Sequence, residues 1–66
     1  MRIFVNGVAR DVSNRLTVQG LLAELGVQSA HVAVEVNREL VPRSRRADHQ
    51  LAADDAVEVV TLVGGG

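Results

Sequence analysis

The sequence ends on Gly64, Gly65 and Gly66, and the group there with an open approach is the α-carboxyl of Gly66. It ionises near ~3.5, so at neutral pH it attacks electrophiles and resists being attacked until it is activated. Three residues at about 3.3 Å each carry it about 10 Å from the preceding strand, on a thread that no Cβ widens. A narrow tail of this kind fits an enclosed active site belonging to another protein. Glycine runs are also ordinary loose termini; the position directly behind a valine-rich strand favours a functional tail.

Other reactive side chains form no competing constellation. His31 and His49 are separated by 17 residues and have no cysteine companion, so zinc-ligand spacing is absent and no metal is assigned. Asp54 and Asp55 stand before a strand, where aspartates favour a turn over acid–base work. Arg43, Arg45 and Arg46 form a basic cluster in a polar connection, and Arg45 and Arg46 are expected to be solvated. No nucleophile triad or phosphate-binding glycine loop can be assembled, so no catalytic residue is assigned.

With 66 residues there is material for one domain, too small to enclose a deep catalytic cleft. Phe4 is the single aromatic residue, which leaves the core to Val, Leu, Ile and Ala. Seven basic residues, all arginine, stand against eight acidic ones, for a formal net charge of −1. That balance provides no basic field for a nucleic acid. Without cysteine there is no disulfide and no internal sulfur nucleophile, as suits a reducing compartment. Met1 to Asn6 is too short and too polar for a signal core or a membrane span, and a cytoplasmic location is expected.

The elements that must carry the tail are read from periodicity and turn chemistry. Ile3, Phe4 and Val5 form a strand, Asn6 and Gly7 supply a tight hairpin turn, and Val8 to Val12 returns. Val18, Leu21, Leu22 and Leu25 recur at helical spacing, with Thr17 as N-cap and Gly26 as terminator, while Gly20 weakens the helix. Val32, Val34 and Val36 alternate with polar or small residues as a half-buried strand, and Asn37 to Glu39 turns. Leu40 to Pro42 reads as a brief edge segment, His49 to Leu51 as a short strand, and Val57 to Val63 as a long central strand. The fold class is α+β, a mixed sheet of four or five strands packed on one helix, with the terminal strands side by side.

This order is the β-grasp arrangement, and Met1 to Val5 with the diglycine end is similar to ubiquitin and its bacterial relatives. More closely, Leu16-Thr17-Val18 before Leu21-Leu22, Val34 to Asn37, Leu40-Val41-Pro42-Arg43 and Val63 to Gly66 resemble the ThiS family of thiazole-biosynthesis sulfur carriers. Asn37-Arg38 departs from the Asn-Gly frequent there, although asparagine tolerates the left-handed region. The resemblance implies a ubiquitin-like domain over residues 1–63 and a flexible tail over 64–66. It implies that a ThiF-like adenylyltransferase uses ATP to join Gly66 to AMP, that sulfur from a donor protein converts it to a thiocarboxylate, and that a ThiG-like thiazole synthase receives the sulfur. It implies no tightly bound cofactor and a protein cosubstrate in place of an enzyme. The longer MoaD carriers of molybdopterin synthesis, a lysine-conjugating modifier and a tail-independent interaction module remain alternatives.

Strand alternation adds a partner surface. If Ile3 and Val5 face the helix, Phe4 turns outward, and in the last strand Val57 and Val59 turn inward while Val60 and Leu62 turn outward. Phe4, Val60 and Leu62 are therefore the expected centre of a docking patch beside the tail.

Overall fold

The computed structural model describes residues 1–62; Val63 and the tail residues Gly64, Gly65 and Gly66 lie outside the described residues. Strands β1 (Arg2–Val5) and β2 (Val8–Asp11) pair antiparallel. Their turn places Asn6 at φ 51° and Gly7 at φ 83°, the doubly left-handed geometry whose twist matches a tight hairpin.

Helix α1 (Val18–Leu25) begins where Thr17 keeps an extended backbone and its Oγ1 accepts from the Gly20 N–H at 3.0 Å. That bond satisfies a donor the helix cannot use internally. Gly26, at φ 72°, ends the helix by donating its N–H to the Ala23 carbonyl. Val18, Leu21 and Leu22 face inward and are buried.

Strand β3 (Val32–Val36) pairs antiparallel with the two-residue β4 (Glu39–Leu40) and with β5 (Ala56–Thr61), while β5 also runs parallel to β1. The sheet order is β2-β1-β5-β3-β4. Ile3, Val34, Val36 and Val57 from its inner face close a single aliphatic core with the helix. This is the expected ubiquitin-like β-grasp: five mixed strands over one helix, with the last strand in the centre.

Three local expectations are corrected. The edge strand comprises Glu39–Leu40, with Val41 still donating to the Val34 carbonyl at 2.8 Å while its side chain is buried; Pro42 leaves the edge and leads into a 3-10 turn at Arg43–Arg45. His49 to Leu51 is no strand and makes one isolated bridge, between Gln50 and Thr17. It lies against the start of α1, where Val18 donates to the His49 carbonyl and Leu51 donates to that of Leu16, so the segment serves helix-end donors. Arg46, expected in solvent, is 5% exposed.

The turn after β3 holds two consecutive non-glycine residues in the left-handed region, Asn37 at φ 52° and Arg38 at φ 71°. The Asn37 amide is engaged on both ends: Nδ2 donates to Asp55 Oδ1 and Oδ1 accepts from the Ala56 N–H, each at 3.0 Å. Arg38 bears the steric cost of that region, about 1 kcal/mol. Arg38→Gly is expected to raise unfolding stability by about 0.5 kcal/mol, part of the relief being returned by the freer unfolded chain. Urea denaturation checks this, and a loss of stability would contradict the strain.

Candidate functional site

The candidate site is the end of β5 together with Leu62, the last described residue before the glycine run in the sequence. The strand is held from both sides as far as Val59, and from the β3 side alone to Leu62. On the β1 side, the Asn6 N–H donates to the Val57 carbonyl at 2.9 Å. Beyond the reach of the β1 backbone, the Asn6 side chain continues the ladder: Oδ1 accepts from the Val59 N–H at 2.9 Å and Nδ2 donates to the Val59 carbonyl at 3.3 Å. On the β3 side, the register runs Val36↔Val57, Val34↔Val59 and Val32↔Thr61. It ends with the Leu62 N–H donating to the His31 carbonyl at 2.8 Å.

His31 belongs to a 3-10 turn at Ser29–His31, and two arginines reach it. Arg43 Nη2 donates to the Ala30 carbonyl at 2.9 Å. Arg46 Nη1 donates to the Ser29 carbonyl at 2.7 Å and to Ser29 Oγ at 3.0 Å, and its Nη2 donates to the Val32 carbonyl at 2.7 Å. Burial, with the Arg43 charge second, lowers the Arg46 pKa from its ordinary value. Desolvating a cation is costly, and here carbonyl dipoles meet the charge.

The outer face of the sheet carries the expected partner residues in a divided pattern. Val60 and Leu62 are each 51% exposed. Phe4 is half-buried beside Ala9 and Ala56, with the Arg2 guanidinium 5.5 Å from its ring centroid. Because Phe4 aligns with Ala56, Val60 lies four residues further along β5, about 13 Å away at 3.3 Å per residue. Glu58 stands between them, directly opposite Glu35 on β3, and both are exposed. Like charges in such a cross-strand pair repel. The ion pair found among the described residues is Arg10–Glu24 at 3.7 Å, elsewhere.

The remaining titratable residues are placed apart. Asp55 ties its own turn, Oδ2 accepting from the Ala52 N–H at 2.8 Å. His49 lines an open polar depression with Arg45, Asp48 and Gln50, while His31 ends the 3-10 turn. No group of three metal-ligating side chains occurs among the described residues. Sequence reading missed the Asn6 ladder and the Arg46 clasp; a turn asparagine and a cationic loop look the same whether or not they make these distant bonds.

A β-grasp domain whose final strand lies in the centre of the sheet, in a sequence that closes on three glycines, defines the ubiquitin-like class of small proteins. The ThiS family model matches residues 3–66, and the chain belongs to the ThiS family. It is 46% identical over 66 residues to a thiazole synthase of Paramagnetospirillum magneticum, covering 100% of this chain and 20% of that one. It is 30% identical over 66 residues to the sulfur carrier protein ThiS of Escherichia coli, covering 100% of both. The crystal structure of ThiS from Geobacter metallireducens superposes with a TM-score of 0.87 at 36% identity, again over 100% of both chains. The chain thus spans 20% of the length of the thiazole synthases it matches.

Asn6→Gly preserves the turn while deleting both side-chain bonds to Val59. The expected loss is about 1 kcal/mol, the net worth of hydrogen bonds at a partly exposed site. Chemical denaturation measures it, with faster amide exchange at Val59 than at Leu21 in α1 as the accompanying sign. Equal stability of the two proteins would contradict the bridging role.

Proposed function

We propose that this chain is a sulfur carrier for thiamin biosynthesis, working in the cytoplasm as a cosubstrate of other enzymes. The observation that carries the reading is the ThiS family match through residue 66, on a domain whose last strand lies in the centre of the sheet. A Gly66 carboxylate oxygen attacks the α-phosphate of ATP on a ThiF-like adenylyltransferase, pyrophosphate leaves, and the carbonyl becomes an acyl adenylate. The terminal sulfur of a donor protein's persulfide displaces AMP to give an acyl disulfide. A thiol then cleaves the sulfur–sulfur bond, releasing the thiocarboxylate and forming a disulfide. Delivery of that sulfur on a ThiG-like thiazole synthase breaks the acyl carbon–sulfur bond, and an oxygen from the acceptor or from water takes its place, which returns Gly66 to its carboxylate.

In this cycle the chain contributes reach, shape and a docking face. Gly64, Gly65 and Gly66 thread the partner's site because no side chain obstructs them. Val60 and Leu62 supply exposed apolar area nearest the tail, Phe4 marks the far end of the same face, and the opposed Glu35 and Glu58 between them favour a partner with a basic side chain there.

The experiment is ATP–pyrophosphate exchange catalysed by the cognate adenylyltransferase. The full chain should support exchange, and deletion of Gly65 and Gly66 should abolish it; exchange that persists without these residues would overturn the reading. Leu62→Glu places a charge in the apolar face without touching the core, and its KM should rise about tenfold, the scale of an ordinary interface anchor. An unchanged KM removes Leu62 from the docking face.

A further inference from the structure

The two arginines at the 3-10 turn have a geometric consequence beyond the turn itself. Arg43 and Arg46 together hold the carbonyls of Ser29, Ala30 and Val32. The carbonyl left between them, that of His31, accepts the Leu62 N–H at 2.8 Å. Every backbone oxygen from residue 29 to residue 32 is therefore used by Arg43, Arg46 or Leu62. Val32↔Thr61 is the last pair of the β3–β5 register, so the His31 carbonyl is the final backbone hold on the chain among the described residues. The planar fork of Arg46 spans the Ser29 and Val32 carbonyls at once, a reach that a single ammonium centre does not reproduce.

We propose that Arg43 and Arg46 are positioning residues for the tail: by fixing the Ser29–Val32 turn they fix the His31 carbonyl, and through it the direction in which the chain leaves β5 toward Gly66. The inference rests on the reading that Gly66 enters a partner's active site. The Leu62 bond to the His31 carbonyl is the last hold on the chain among the described residues, so whatever fixes that carbonyl fixes the root from which a partner must take the chain. Misplacement of a reacting group by about 1 Å costs on the order of 100-fold in rate, which makes a loosened root consequential even with docking intact.

Arg43→Ala is the cleaner variant, because its bond to Ala30 lies at the surface and its loss leaves the core filled. Amide exchange at Leu62 is expected to accelerate about tenfold, while the Leu21 amide, bonded to Thr17 in the helix, changes by less than about twofold. Arg46→Lys keeps the charge without the fork and should give the same contrast. No acceleration at Leu62, or equal acceleration at Leu21, overturns the proposal. In adenylate formation, Arg43→Ala should lower kcat about tenfold with KM within about twofold, since the docking face is untouched. An unchanged kcat overturns the proposal too. If the wild-type chain accepts no adenylate, the carrier reading fails, and the Leu62 exchange contrast alone decides whether the clasp sets the root.

Discussion

Strand β5 must pair on both edges, parallel with β1 and antiparallel with β3, and the remaining architecture follows from that double demand. A parallel neighbour cannot be reached by a tight turn, so the hairpin, helix and crossover all lie between β1 and β5 in the chain. Central placement also buries Val57 and commits one face of the sheet to α1. The strand is fixed on two sides as far as Val59, and the last described residues are carried on by the β3 side alone, ending at the Leu62 bond to the His31 carbonyl.

Side chains complete this ladder where the backbone stops. The Asn6 amide takes the place of a missing β1 residue beside Val59, and the Asn37 amide does similar work at Ala56 on the opposite end of β5. Each asparagine occupies a left-handed turn position, so one residue type satisfies a local dihedral and a distant bond together. The arginine clasp extends the same principle to the turn before β3, with guanidinium forks in place of amides. The ends of β5 are thereby tied to hairpin turns and to a 3-10 turn, each of which has its own local reason to form.

What could be read from sequence divides along these lines. The Asn6-Gly7 hairpin, the Thr17 cap, the Gly26 stop and the alternation of Val32, Val34 and Val36 were legible because each is specified by neighbours a few residues away. Arg46 was illegible: its acceptors lie 14 and 17 residues distant, and its chemical type points to solvent. Leu51 was misassigned to a strand because apolar character alone does not distinguish a pairing segment from a loop that drops one side chain into the core. Val41 does both, donating to the Val34 carbonyl while its side chain is buried. The tail was named from residue type, whereas the bonds that hold its root span up to 53 residues and leave no periodic trace.

The chemistry proposed for this fold asks little of the domain's own side chains and much of one backbone atom. Its most direct test is the intact mass of the chain after incubation with ATP, the cognate activating enzyme, a persulfide donor and a thiol, followed by fragmentation from the C-terminus. Mass should rise by the difference between a sulfur and an oxygen atom, localised to Gly66 and dependent on ATP. An unchanged mass with a demonstrably active partner enzyme, or sulfur found anywhere but Gly66, would contradict the carrier role.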